Sequence, residues 1–233
     1  MLRLFSKSLF SPDTAAQGVL DAGIAGHYGI PRGEKPIDDW ESNHGDDQPP
    51  GGTPGRDEVF GTNADDVIDR FGHDGGERIF GFAGDDTIIA GGGDDAVFGG
   101  IGNDDLYGEG GNDTLVGGEG DDIAFGGAGA DEIHTGQGAD IAAGGAGDDI
   151  IFLVDDGEVD LIIFAQGDDF DIIDNFEQGF DQIALADFGF GDFGDVAGMI
   201  SYSGDQAMID LGGGDMIIFT DLGGLLNESD FIF

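Results

Sequence analysis

The chain has 233 residues, of which 50 are Asp or Glu and only 7 are Lys or Arg, for a formal net charge of −43. That balance excludes phosphate-backbone recognition of nucleic acid, which needs basic side chains, and the absence of cysteine excludes disulfides, thiolate metal sites and Cys nucleophiles. Acidic disorder alone does not account for the composition, because 39% of the residues are hydrophobic and 19 are Phe.

Residues 1–55 are polar and contain all six prolines, with Pro49-Pro50-Gly51-Gly52 near the end, and read as a mostly disordered linker segment. Ser11-Pro12-Asp13 could cap one short helix there. The stretch from Met1 to Asp13 is interrupted by Ser6, Lys7 and Ser8 and makes a poor signal peptide. No apolar run in the chain reaches the roughly 18 residues of a membrane span. Residues 56–80 read as degenerate cap repeats: Gly61–Asp69 carries Ala64 at a glycine position, and Gly72–Phe80 carries Glu77 where Asp is expected. Arg70 and Phe71 break the register between the two, as atypical terminal repeats do.

From Gly81 to Phe152 the chain is eight consecutive nonapeptides, GFAGDDTII, AGGGDDAVF, GGIGNDDLY, GEGGNDTLV, GGEGDDIAF, GGAGADEIH, TGQGADIAA and GGAGDDIIF. Position four is always Gly. Position six is always Asp: Asp86, Asp95, Asp104, Asp113, Asp122, Asp131, Asp140 and Asp149. Position eight is always apolar and is expected to face inward: Ile88, Val97, Leu106, Leu115, Ala124, Ile133, Ala142 and Ile151. This is the G-G-x-G-x-D-x-U-x pattern of a parallel β-helix. Each unit is expected to split into a six-residue turn and a three-residue strand, with glycines at positions one, two and four permitting positive φ. Backbone carbonyls gathered in such a turn, with a carboxylate added at position six, give an oxygen-only donor set that selects a hard cation. A flexible cage of this kind favours calcium over magnesium. The sequence also demands a cation for another reason. From Ile79 to Phe233 there are 35 acidic residues and no Lys or Arg, so no internal salt bridge can neutralise the region.

These repeats resemble the RTX (repeats-in-toxin) family of haemolysin-type calcium-binding repeats. The resemblance implies an all-β fold, a right-handed parallel β-roll with two nonapeptides per turn and calcium between stacked turns. Carried onto this chain, it places Asp86, Asp104, Asp122 and Asp140 along one edge and Asp95, Asp113, Asp131 and Asp149 along the other. The carbonyls of Gly100, Gly102, Gly118, Gly120, Gly127, Gly129, Gly145 and Gly147 match the family's second and fourth positions. Three gaps on each edge imply about six calcium ions, with one or two more at the ends. Phe82 and Glu109 at position two are expected to strain their turns. Ala130 and Ala139 at position five, and Thr135 at position one, are expected to weaken their sites.

After Phe152 the period is lost. Short β-rich runs follow (Leu161–Phe164, Asp171–Phe176, Gln182–Leu185 and three later ones), and they read as hairpins closing the roll over residues 153–233. Asp171 to Leu185 resembles the D-x-I-x-D-F-x-x-G-x-D-x-I-x-L segment that caps many RTX rolls, with Asn175 in place of an Asp. The stretch Leu226–Phe233 looks like the acidic-apolar end of type I secretion substrates, which implies export by that machinery to an extracellular or cell-surface location in a bacterium. H-E-x-x-H and G-x-S-x-G motifs are both absent, and the expectation is a non-enzymatic, secreted calcium-binding protein. Two alternatives share the roll: a calcium-dependent cell-surface or matrix adhesion protein, and an exported module whose effector is residues 1–55.

Overall fold

In a computed structural model, residues 57–186 and 188–233 are described; the expected disordered linker, capped helix and effector peptide of residues 1–55 lie outside them. The described strands, in chain order, are β1 (Asp57–Phe60), β2 (Val67–Asp69), β3 (Glu77–Ala83), β4 (Thr87–Gly92), β5 (Ala96–Ile101), β6 (Asp105–Gly110), β7 (Thr114–Glu119), β8 (Ile123–Ala128) and β9 (Glu132–Gln137). They continue as β10 (Ile141–Ala146), β11 (Ile150–Phe152), β12 (Leu161–Phe164), β13 (Phe170–Asp174), β14 (Gln182–Leu185), β15 (Ile200–Ser203), β16 (Gln206–Gly212), β17 (Asp215–Thr220) and β18 (Phe231–Ile232). One short helix, α1 (Phe193–Ala197), is capped by the Asp192 carboxylate, which accepts from the Gly194 N–H.

Apart from β16, odd and even strands separate into two sheets. One has the order β1-β3-β5-β7-β9-β11-β13-β17-β16-β15, the other β18-β14-β12-β10-β8-β6-β4-β2. Through the repeats, successive strands therefore alternate between sheets, and each pairs in parallel with the strand two places on, as in Ile123↔Ile141 and Leu115↔Ile133. The result is a parallel β-solenoid of about seven turns. Every expected inward residue, from Ile88 to Ile151, is at most 2% exposed and belongs to one core cluster between the sheets.

The strands are longer than the sequence suggests. β7, for example, joins positions seven to nine of one unit to positions one to three of the next. The reason lies in the ladder. The Gly102 N–H, at position four, donates to the Glu119 carbonyl at position three of the next coil (2.8 Å), and the pattern recurs at Gly111 and Ala128. Those bonds extend pairing past the glycines and leave only positions four to six as turn.

The solenoid also outlasts the repeats at both ends. The two degenerate cap repeats form proper coils, with β1 on β3 and β2 on β4. Downstream, β12 lies parallel between β10 and β14, and β13 parallel between β11 and β17. Leu161–Phe164, Phe170–Asp174 and Gln182–Leu185 are thus further coils, and antiparallel pairing is confined to β15-β16-β17. The hairpin cap exists, but it begins after these coils. The residues at position nine form two rows, Phe98, Val116 and Phe152 on one sheet and Ile89, Tyr107 and Phe125 on the other, where Ile89 and Tyr107 are buried. On the first sheet Phe60, Phe80 and Phe98 stack, with ring centroids 5.5 and 5.0 Å apart.

Candidate metal centre

The glycines have two separate jobs. Positions two and four adopt positive φ, for example Gly118 at 128° and Gly120 at 131°, a region that only glycine enters freely. Phe82 (83°) and Glu109 (74°) are forced into the same region, which bears out their expected strain. Position one is not in this region; what it needs is space. A Cβ on Gly126 would stand 2.4 Å from Asp131 Oδ2 and 2.6 Å from the carbonyl oxygen of Gly144 in the next coil. The same crowding recurs at Gly81, Gly99 and Gly108. A carboxylate oxygen and a carbonyl oxygen from adjacent coils thus converge on each such position.

The proposed carbonyl donors are arranged along the solenoid axis. A Cβ on the matching glycine of the next coil would come within 1.8–2.2 Å of the carbonyl oxygens of Gly100, Gly102, Gly118, Gly120, Gly127 and Gly129. Gly145 and Gly147 hold the same positions in the last repeat, at φ 98° and 137°. These oxygens line the gaps between coils.

The eight aspartates form the two rows. Within each row, Oδ1 of one Asp accepts the backbone N–H of the Asp one coil earlier: Asp104 from Asp86 (2.8 Å), Asp122 from Asp104 (2.8 Å) and Asp140 from Asp122 (2.7 Å). The other row repeats this through Asp95, Asp113, Asp131 and Asp149. All eight are 1–2% exposed. The second oxygen is the telling one. Oδ2 of Asp86, Asp104, Asp113, Asp122, Asp131 and Asp149 is buried and has no hydrogen-bond partner. A buried carboxylate half left in this condition resists ionisation. Burial pushes Asp113, Asp122 and Asp149 up to about 7, and like charges one coil away add to the rise. Asp86, Asp131 and Asp140 rise to about 6, again through burial, and Asp104 rises for the same reason. In each case the backbone N–H at Oδ1 opposes the shift.

A parallel row runs through position five in the reverse sense. The side chains of Asp85, Asn103 and Asp121 accept the N–H of Asn103, Asp121 and Ala139 one coil later, at 3.0–3.1 Å. The Ala130 and Ala139 N–H groups donate such bonds, but these residues have no side-chain oxygen to continue the row. Thr135, 1% exposed, brings its hydroxyl against Asp140, where it lowers the carboxyl pKa and partly offsets the burial.

Where the rows begin, the chain supplies its own partners. Asp66 Oδ2 takes both the N–H and the hydroxyl of Thr62. At Glu77, which holds the ladder position below Asp95, the Arg70 guanidinium binds both carboxylate oxygens. The two residues that break the repeat register therefore deliver an internal cation to the row.

Three ladder residues escaped the sequence reading. Asp160 accepts from Asp140 (2.9 Å), Asp171 from Asp149 (3.1 Å) and Asp181 from Asp160 (3.1 Å), with loops of 20 to 22 residues replacing the 18-residue coil. All are 2–3% exposed, and burial raises Asp160 to about 7, Asp171 to about 8 and Asp181 to about 6. A signal was present. Asp160-Leu161-Ile162, Asp171-Ile172-Ile173 and Asp181-Gln182-Ile183 keep the D-x-U half of the nonapeptide after its glycine half is gone.

Among the described residues no three His, Cys, Asp or Glu side chains converge into a side-chain metal cage. The fit is to a mixed shell: buried carboxylate oxygens lacking donors, and carbonyls lining the gaps. These are hard oxygen donors, suited to calcium.

Fold and site together define a metal-binding β-solenoid. A family model for the RTX calcium-binding nonapeptide repeat (4 copies) matches residues 71–106, 107–142 and 125–153, and this part of the chain belongs to that family. No curated protein matches the chain in sequence. Among solved structures, the chain is similar to the extracellular lipase LipA from Serratia marcescens (17% identity, TM-score 0.41), over 76% of this chain and 40% of the lipase. It is also similar to a subunit of the Azotobacter vinelandii mannuronan C5-epimerase (22% identity, TM-score 0.26), over 78% of this chain and 86% of that one. The chain thus spans less than half of the lipase. No helix among the described residues is long and apolar enough to cross a membrane.

Proposed function

We propose that this is a secreted, non-enzymatic calcium-binding protein that folds when it meets extracellular calcium after type I export. The position-six aspartates and the glycine carbonyls at positions two and four would be the ligands. One observation carries the reading: in each row, buried carboxylate oxygens without hydrogen-bond partners recur coil after coil in a region with no Lys or Arg beyond Arg78. An ionised carboxylate in that position is tolerated only with a cation beside it. Extracellular-type calcium modules bind at about 10⁻⁴–10⁻³ M, which would leave the chain open in a low-calcium cytoplasm and closed outside. About six ions in the repeats follow from three gaps per edge, and binding is coupled to folding because an open chain holds no preformed site. Circular dichroism during calcium titration tests this. Chelated protein at pH 8 should lack most of its β signal and recover it at millimolar calcium; a full β signal in chelator would overturn the reading.

A second reading, calcium-dependent adhesion, is favoured by the aromatic ladder on one sheet. Phe60 and Phe82 at its end are 50% and 46% exposed, and Phe82 stacks 6.2 Å from both Phe60 and Phe80. Light scattering separates the two: a monomer in calcium supports the first, and calcium-driven association supports adhesion.

A further inference from the structure

We propose an ammonium-binding cleft at the margin of the second sheet, formed by the Glu109 side chain and the loop 71–74 and floored by Gly91 and Gly92. Its ligand is an aliphatic ammonium, carried by a free amine or by a lysine side chain. The cleft goes beyond the calcium reading above, because it uses a side chain that the repeat does not call for.

Glu109 stands where its unit calls for glycine, at a φ of 74° that glycine would enter freely. Backbone strain of this kind collects at ligand sites. In the β4–β6 register Glu109 lies opposite Gly91, and Gly110 opposite Gly92, so the carboxylate borders a stretch without side chains. Its Oε1 is buried and has no hydrogen-bond partner. Burial pushes the Glu109 carboxyl pKa up, and the charge of Asp69 adds to the rise. A buried carboxylate oxygen in this condition calls for a cation. Arg70, one of two cations among the described residues, is held instead by Glu77 and the His73 ring.

The loop 71–74 forms the other side. Asp69 Oδ1 accepts the Phe71 N–H at 2.9 Å, and the His73 carbonyl accepts the Gly92 N–H at 2.6 Å, which fixes the loop against β4. A Cβ on Gly92 would stand 3.2 Å from that carbonyl oxygen and 3.5 Å from Asp74 Oδ1. A backbone oxygen and a second carboxylate therefore border the glycine floor. Together with Glu109 and Gly110 these residues line one cleft of about 320 Å³, room for a short aliphatic chain. Phe71, part of the lining and 61% exposed, offers a ring to the stem or to the charge. Calcium fits poorly, since it takes about six to eight oxygens and no three His, Cys, Asp or Glu side chains converge here. An ammonium is satisfied by fewer, and its N–H donors suit two carboxylates and a carbonyl. The net charge of −43 draws such cations to the surface.

Calorimetric titration of the folded full chain tests the cleft, in millimolar calcium and about 0.15 M salt, which screens diffuse attraction to the anionic surface. The probes are cadaverine and a blocked Gly-Lys-Gly peptide. Saturable binding at one site is expected: of cadaverine alone if the ligand is a free amine, of the peptide if it is a lysine side chain. Glu109→Gln should weaken it about tenfold or more, and Asp74→Asn by less. Glu109→Gly restores the glycine of the repeat and relieves the strained φ. It should lose the amine yet fold at the same calcium concentration or a lower one, a split that a purely structural Glu109 would not give. Binding unchanged in both Glu109 variants, or no binding of either probe to the folded chain, overturns the cleft. A chain that folds without calcium is titrated in the same way, so failure of the calcium reading shows in circular dichroism and failure of the cleft in the calorimetry.

Discussion

The first two coils and the central repeats occupy the same ladder and answer its electrostatics in opposite ways. At Glu77 a guanidinium from Arg70 covers both carboxylate oxygens, and at Asp66 the Thr62 hydroxyl and N–H cover one. From Asp86 to Asp149 the rows carry buried oxygens with no such donors. A buried carboxylate can be balanced by a donor from the chain or by a cation from solution; a repeat as regular as this one has no side chain to spare for the first. Eight copies of one turn therefore leave their buried oxygens to a cation from solution in the proposed reading, and the two copies that depart from it carry partners of their own.

The sharpest way to test that contrast is to remove one carboxylate charge from each region. Asp122→Asn keeps the acceptor for the Asp104 N–H but takes charge from the centre of a row. The calcium concentration at half-folding should rise about tenfold or more, whereas Asp66→Asn should leave it nearly unchanged; equal shifts in circular dichroism titrations would erase the distinction. Next in size is the internal cation. Arg70→Met leaves Glu77, which is 2% exposed, without its guanidinium partner and with only the His73 ring 3.7 Å away. Breaking a buried pair in this way costs about 3–5 kcal/mol. Hydrogen exchange at saturating calcium should show protection falling in β1 to β3 and holding in β6 to β9. Uniform loss across the solenoid would mean that Arg70 is not a local device.

The smallest effect is that of pH. The folded-state carboxyl pKa values are raised from 3.8 to about 6 at Asp86 and Asp131 and to about 7 at Asp113, Asp122 and Asp149. The calcium-free folded form thus holds more protons than the open chain between those limits, and its stability falls as pH rises through that window. Chelated protein should gain β signal on going from pH 8 to pH 5, while half-folding in calcium should need more of the ion below pH 6, where protons compete for the same oxygens. A β signal in chelator that is flat with pH would sink the assignment of the buried oxygens as the obstacle.

How much of this was legible in advance depended on the regularity of the chain. Asp at position six, Gly at position four and an apolar residue at position eight of every unit set the repeating unit and its inward residues, while the two rows came from the two units per turn that the family resemblance implies. The strain at Phe82 and Glu109 followed from the same register. Glycine at position one was read for its backbone freedom, but its role is to leave room for oxygens of two coils, a reason that exists only once coils stack. Asp160, Asp171 and Asp181 were hidden because their loops vary in length, and a fixed period cannot follow coils of 20 to 22 residues. Parallel backbone pairing tolerates that variation, since only the strands must align.

The sequence by itself therefore determined the repeating unit, its oxygen-donor chemistry and its excess of negative charge: all three are local properties of nine residues and of a charge that no Lys or Arg downstream of Arg78 offsets. Only the tertiary structure decided where the ladder begins and ends. It brings Arg70 back onto Glu77, joins β12 and β13 to the repeats, and carries the aspartate ladder on through Asp160, Asp171 and Asp181. Those outcomes depend on contacts between coils, and no single unit contains them.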